Sequence, residues 1–288
     1  MALSTFGRRA GLVVAGTGVY VGTSYLVYQY MTSGKADQEE TQRLLSEQQE
    51  FSFVKNPSRN EKYSEIAARY DFMINNDERF MGMGVLRRCL LYYHARGTVL
   101  EMAAGTGRNC PYYPAGVDRV VLTDTSSEML DQAKRKIGDL SSEPHKKKFA
   151  VLQADSGHLS FGDSTFDTVV DTFGLCSFND PVAALKEMER VCKPDGKILL
   201  LEHGRSKSWQ WVTKILDDNA ERHAKNWGCV HNRDLDQILE KSGLVLDTVF
   251  TWHFGTTYYC VCRPNKQKSN NKSMASSNQT TTLPEQQQ

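Results

Sequence analysis

At 288 residues with 40% hydrophobic side chains, the chain has length for one ordinary domain with a sizeable core plus appendages. Its 35 Lys and Arg against 34 Asp and Glu leave a formal charge of +1, which excludes the strong basic excess of a general nucleic-acid binder. Seven cysteines, odd in number and scattered, do not make a disulfide framework and read as buried free thiols. Cys260 and Cys262 would share one strand face without a second ligand pair at metal spacing, so no metal site is expected.

Residues 10–34 carry no charge and are long enough to cross a bilayer as a helix, with Arg8 and Arg9 before them and Lys35 after. Tyr28 and Tyr30 suit an interface, and Gly18 and Gly22 stand at the spacing that lets two helices pair closely. The start, with Ser, Thr and Arg but no acid, has the composition of a mitochondrial presequence. The expectation is an uncleaved single-pass anchor in the mitochondrial inner membrane, with the endoplasmic reticulum as second choice. The Arg pair would stay on the matrix side, leaving the large domain in the intermembrane space. Residues 35–60 read as a polar linker, and residues 264–288, rich in Asn, Gln, Ser and Thr, as a disordered tail.

Between these, short apolar runs alternate with amphipathic stretches. Residues 98–102, 119–124, 149–155, 166–172 and 197–203 predict strands buried on both faces. Thr125 and Glu128 have capping-box spacing before one helix. Asp180 and Pro181 open another, with Gly196 after its end. The alternation implies a parallel sheet with helices on both faces, and the final pair of strand-like runs around Phe254-Gly255 implies an antiparallel closing hairpin. The run His145–Lys148 reads as a solvated loop.

In such a sheet ligands bind at the carboxyl ends of the strands. The first predicted strand ends at Glu101 and enters Ala103-Ala104-Gly105-Thr106-Gly107, whose small residues let a ligand approach the main chain. Asp124 closes the second strand, where a carboxylate can accept from both hydroxyls of a ribose. Asp155, with Ser156, closes the third and suits the amine of an adenine. A dinucleotide would want a third glycine where Cys110 stands, and its pyrophosphate is a poor neighbour for Glu101. S-adenosylmethionine, with an ammonium, a ribose diol and a purine amine, matches acids at 101, 124 and 155.

The segment 99–109, VLEMAAGTGRN, resembles the first motif of class I S-adenosylmethionine-dependent methyltransferases, over a domain of residues 61–263. Residues 67–75 and 171–204 are similar to the ubiquinone/menaquinone C-methyltransferase group. Residues 211–234, with the anchor, are closer to membrane-anchored methyltransferase-like proteins of mitochondria and the endoplasmic reticulum. The resemblance implies a Rossmann-like seven-stranded α/β sheet with an antiparallel last strand. It implies cofactor contacts from Tyr70, Glu101, Ala103, Gly105, Gly107, Asn109, Asp124, Thr125, Asp155, Ser156, Thr172 and Phe173. Ala103 departs from the family's usual glycine and would narrow the loop slightly.

The implied activity is methyl transfer to a small, lipophilic acceptor near a membrane. The other reading is a catalytically weak or inactive methyltransferase-fold assembly factor of the inner membrane. His203, beside Glu202 at the end of the fifth predicted strand, is the candidate base. His223 and His231 would belong to a segment covering the acceptor, and Cys176, with no His relay visible in the sequence, reads as packing.

Overall fold

A computed structural model describes residues 58–265. The expected anchor, the Gly18/Gly22 pair, most of the linker and nearly all of the expected tail lie outside the described residues. Among the described residues no helix is long and apolar enough to cross a membrane.

Seven strands form one sheet. They are β1 (Gly97–Met102), β2 (Val117–Asp124), β3 (Phe149–Gln153), β4 (Phe166–Thr172), β5 (Cys192–His203), β6 (Val245–Trp252) and β7 (Thr257–Arg263). Their order is β3-β2-β1-β4-β5-β7-β6. The first five pair in parallel, and β7 runs antiparallel between β5 and β6.

The period of two along each strand splits the core into two layers. On β5, Ile198 and Leu200 join Leu100 and Met102 of β1 against Leu185 and Met188 of α5 (Pro181–Val191) and Leu235 of α8 (Leu235–Ser242). Leu199 and Leu201 face the other way with Val99, against Leu90 and Leu91 of α2 (Met83–His94) and Ala133 of α3 (Ser127–Gly138). Each fully buried Leu or Met contributes about 1.5–3 kcal/mol by leaving water, so these central strands hold the sheet.

Two expected strands differ in burial or length. β3 is an edge strand that stops at Gln153, with Leu152 and Gln153 exposed, so it is not buried on both faces. The chain leaves the ladder because Asp155 accepts a hydrogen bond from the Gly157 amide at 2.9 Å, forming a local turn instead. β5 begins already at Cys192, because Cys192 takes an extended conformation directly after α5. Gly196 therefore lies inside β5, where a Cβ would strike Cys192 Sγ at 2.7 Å, and it does not cap a helix.

Helix boundaries follow side-chain caps. Asp180 caps α5 as expected, accepting from the Ala183 amide at 2.9 Å. At α3 the cap is Ser126, not Thr125: its Oγ accepts from the Met129 amide at 3.2 Å. The run His145–Lys148 begins in a one-turn helix, α4 (Glu143–Lys146), where a loop was expected.

The long helix α1 (Ser58–Phe80) starts within the expected linker and packs Ile66 and Ala67 on Met129 of α3. Between β5 and α8 lie α6 (Gln210–Asp218) and α7 (Ala220–Trp227). The Ser126 cap has a measurable consequence. Ser126→Ala should lower the unfolding free energy by about 1 kcal/mol. Thr125→Ala should cost clearly less, and equal losses in urea titrations would return the cap to Thr125.

Candidate functional site

Strand order reverses between β1 and β4, so their carboxyl ends open a crevice. The loop after β1 is folded onto the end of β2. The Ala104 amide donates to Thr123 O at 2.9 Å, and the Gly105 amide donates to Asp124 Oδ2 at 2.8 Å. Gly105 has φ 52, and a Cβ there would meet nothing within 4 Å. Its bare side thus borders open space beside Asp124. Gly107 serves differently: a Cβ there would come within 3.0 Å of Ala133, so its bareness lets α3 pack.

Ala103 has φ 46, a left-handed conformation that costs an L-residue about 1–2 kcal/mol. The family's glycine at this position is therefore a matter of dihedral as well as of space. Phe173, at the end of β4, has φ 61 and carries a similar strain.

Asp124 accepts from Gly105 through Oδ2 and from the Ser126 amide through Oδ1 at 2.9 Å. Burial raises its carboxyl above the ordinary value, against the backbone amides that pull it down. Thr125 is half-buried next to it, its carbonyl accepting from Gln153 Nε2.

Glu101 is only 1% exposed, and both its oxygens are taken. Asn109 Nδ2 donates to Oε1 at 2.9 Å and the Tyr113 hydroxyl to Oε2 at 2.6 Å. Burial pushes its carboxyl up to about 7, against these donors and the nearby Arg87 charge. Glu101 thus lies beneath the loop, not open to the crevice.

Arg87, on α2, was not foreseen. Its buried guanidinium donates to Thr172 Oγ1 at 2.6 Å, to Asn109 Oδ1 at 3.0 Å and to Glu78 Oε1 at 2.8 Å. It also stands 5.0 Å from the centre of the Phe173 ring. Glu101, Asn109, Thr172 and Phe173 are thereby gathered around one cation. The signal was present: Met83, Arg87, Leu90 and Leu91 share the buried face of one amphipathic helix.

Not every expected residue joins this group. Asp155 is exposed and Ser156 buried, in the turn beyond β3, and Asp155 is bridged to His158. Tyr70, on α1, is half-buried and makes an edge-to-face contact with Tyr63 at 6.3 Å. The Tyr63 hydroxyl lies 2.7 Å from Ser177 Oγ, so α1 covers the loop after β4.

That loop and the end of β5 make a second cluster. The His203 ring lies 5.5 Å from Phe173. Cys176, His203 and Cys229 bring their thiols and imidazole within 4.8 Å of one another, so Cys176 does have an imidazole beside it. Hydrogen bonding from Cys229 holds the Cys176 thiol well below its ordinary value, against burial and with the help of His203. Burial pulls His203 down, but Cys176 beside it prevails and raises it. His223 and His231 are driven down to about 4 and about 3, in both cases mainly by burial. Asp171 and Glu202, both buried, are pushed well above the carboxylate range by burial.

A family profile described as a methyltransferase domain matches residues 100–200. The chain is 37% identical over 214 residues to methyltransferase OMS1, mitochondrial, of Saccharomyces cerevisiae, a match covering 70% of this chain and 45% of that protein. It is 38% identical over 178 residues to a demethylmenaquinone methyltransferase of Renibacterium salmoninarum, covering 57% of this chain and 69% of that one. In fold it is similar to an S-adenosylmethionine-dependent methyltransferase of Leishmania major, with TM-score 0.53 and 14% identity, over 71% of this chain and 81% of that one.

The burial of Glu101 makes stability depend on pH. Unfolded, the carboxyl ionises near 4.5; folded, it stays protonated to about 7. Its contribution is complete below pH 4.5 and is lost as pH rises to 7. Glu101→Gln cannot ionise, so its stability relative to wild type should rise by about 3 kcal/mol between pH 5 and pH 8. Urea unfolding of both proteins reads this, and a pH-independent difference would show that Glu101 is already charged in the fold.

Proposed function

The chain belongs to the class I S-adenosylmethionine-dependent methyltransferases and is related to their ubiquinone/menaquinone group, and from that premise we propose that it transfers a methyl group from S-adenosylmethionine to a small, lipophilic acceptor beside a membrane. The observation that carries this reading is the pairing of Asp124 with Gly105. A half-buried carboxylate, held by the backbone amides of Gly105, Ser126 and Thr125, faces a space that no Cβ fills. That arrangement fits a sugar diol, whose hydroxyls can donate charge-assisted hydrogen bonds to a carboxylate.

When bound, S-adenosylmethionine supplies a methyl group already activated by its sulfonium. What remains for the protein is to bind, orient and exclude water. Asp124 holds the diol and Thr125 flanks it. Asp155 and Ser156 serve the purine. Asn109, Thr172 and Phe173, held by Arg87, line the amino-acid end. Glu101, beneath the loop with its oxygens held by Asn109 and Tyr113, serves the ammonium end by fixing Asn109 and the loop. Ala103 and Gly107 set the loop, and Tyr70 covers it from α1.

A lipophilic acceptor is supported by the aromatic groups of Tyr63, Tyr70 and Phe173 around the second cluster, and by the quinone substrate in the name of the Renibacterium relative. His203, expected as a lone base, is proposed as an acceptor-end residue acting together with Cys176 and Cys229. The proposed location is the mitochondrial inner membrane, with residues 10–34 as anchor. Support comes from their uncharged length and from the mitochondrial designation of the yeast relative.

Three experiments test this. In calorimetry, Asp124→Ala should weaken S-adenosylmethionine binding by about 100-fold, the loss of two charge-assisted hydrogen bonds of about 1.5 kcal/mol each. Wild type should also pass labelled methyl into a lipid extract. Equal affinity in the two proteins would remove the diol assignment, and binding without labelled product would leave a non-catalytic assembly factor. For the anchor, alkaline carbonate should leave the full chain in the membrane pellet of mitochondria; release into the supernatant would refute it.

A further inference from the structure

We propose that Cys176, His203 and Cys229 form a binding site for one soft or borderline divalent cation, zinc foremost, at the acceptor end of the crevice. This reverses the expectation drawn from cysteine spacing, and it stands independently of the methyl-transfer reading.

The first support is the donor set. Two thiolates and one imidazole are a zinc set, and three protein ligands leave a fourth position open. A tetrahedral site built on about 2.3 Å zinc–sulfur and 2.0–2.1 Å zinc–nitrogen bonds places its donors about 3.5–3.8 Å apart. Here the three donor atoms lie within 4.8 Å of one another, with His203 Nε2 4.0 Å from Cys229 Sγ. Closure needs shifts of about an ångström or less. Binding leaves two thiolates and a neutral imidazole around the dication, the displaced thiol and imidazolium protons going to solvent, so the assembled site is electrically neutral. That suits an enclosure in which both sulfurs are buried.

The second support is preorganisation. The three residues come from separate parts of the chain: the loop after β4, the end of β5, and the turn after α7. The backbone fastens two of these segments together, since the Val230 amide donates to Cys176 O at 2.9 Å. Gly228, with φ 72, ends α7 and turns the chain so that Cys229 returns to the sheet. His203 is fixed as the last residue of β5, paired with Thr257 of β7.

The third support is an imidazole placed behind one of the sulfurs, in a pair of neighbouring histidines. His231 is only 5% exposed, yet neither ring nitrogen has a hydrogen-bond partner. The His231 ring lies 4.0 Å from that of His223, whose Nε2 is 3.1 Å from Cys229 Sγ. His223 is thus placed to orient a ligating sulfur, as outer partners of metal ligands do. Cys110, Cys192, Cys260 and Cys262 are equally buried but join no such group, so burial of a thiol is not by itself the signal.

The test uses the full chain, purified under reducing conditions without chelator. Elemental analysis should find about one zinc per chain. After chelation, added Co2+ should give the visible bands of a tetrahedral ion together with thiolate-to-cobalt charge transfer. The Cys176→Ser/Cys229→Ser double variant should lose both signals while keeping the wild-type circular dichroism. His231→Phe should keep the metal, because the three ligands remain. Asp124→Ala should keep the metal while losing S-adenosylmethionine binding, which separates failure of this proposal from failure of the functional reading. Substoichiometric zinc with no cobalt spectrum in wild type, metal retained by the double variant, or a Cys176–Cys229 disulfide in place of metal would each overturn the site. Should the double variant fail to fold, the wild-type cobalt spectrum alone decides.

Discussion

A guanidinium buried beneath the sheet's crevice needs acceptors around it, and the Arg87 cation, whose terminal nitrogens are met while its Nε is left without a partner, organises everything around it. Charge taken out of water is tolerated only where acceptors surround it. Thr172, Asn109 and Glu78 supply them, and Phe173 offers its ring. These partners come from α1, the end of β4 and the loop after β1. One side chain on α2 thus fixes the mutual positions of three segments that must agree for a ligand to bind. The network continues outward: Arg108 bonds Glu78 and Asp71, and Asp71 accepts from Thr106 and Lys136. Through these contacts α1 is drawn against the loop it covers.

Strain is concentrated where that network meets the crevice. Ala103 and Phe173 both hold left-handed dihedrals that most L-residues avoid. Neither would persist in a free peptide. Parallel ladders on both sides of β4 and the Phe173 amide bond to Leu201 O, 2.8 Å long, hold them in place. The result is a rigid floor with Gly105 and Asp124 at one end and the thiol–imidazole cluster at the other. A molecule bridging the two ends would present its sugar to Asp124 and its reactive end towards Phe173 and His203.

The two ends differ in chemistry. The cofactor end relies on carboxylates and backbone amides, hard groups that fit hydroxyls and ammonium. The end around His203 has two thiols, three imidazoles and several aromatic rings, soft and apolar groups to which the proposals above assign a lipophilic acceptor and a soft cation. His203 belongs to both halves through its contact with Phe173.

Much of this was legible in the sequence. The apolar runs and their alternation with amphipathic stretches specify parallel strands and helices, because backbone periodicity is local. VLEMAAGTGRN and Asp124 mark the loop and acid to which the cofactor is assigned in the proposal, because one strand–loop–strand unit brings them together. Local competition was harder to read: Ser126 displaced Thr125 as a cap, and Asp155 left its strand for a turn. Only the tertiary structure decided that Glu101 is buried and spoken for by Asn109 and Tyr113, that Arg87 is the hub, and that Cys176, His203 and Cys229 meet. Those outcomes depend on segments far apart in the chain packing against one another, and sequence spacing carries no record of such distances.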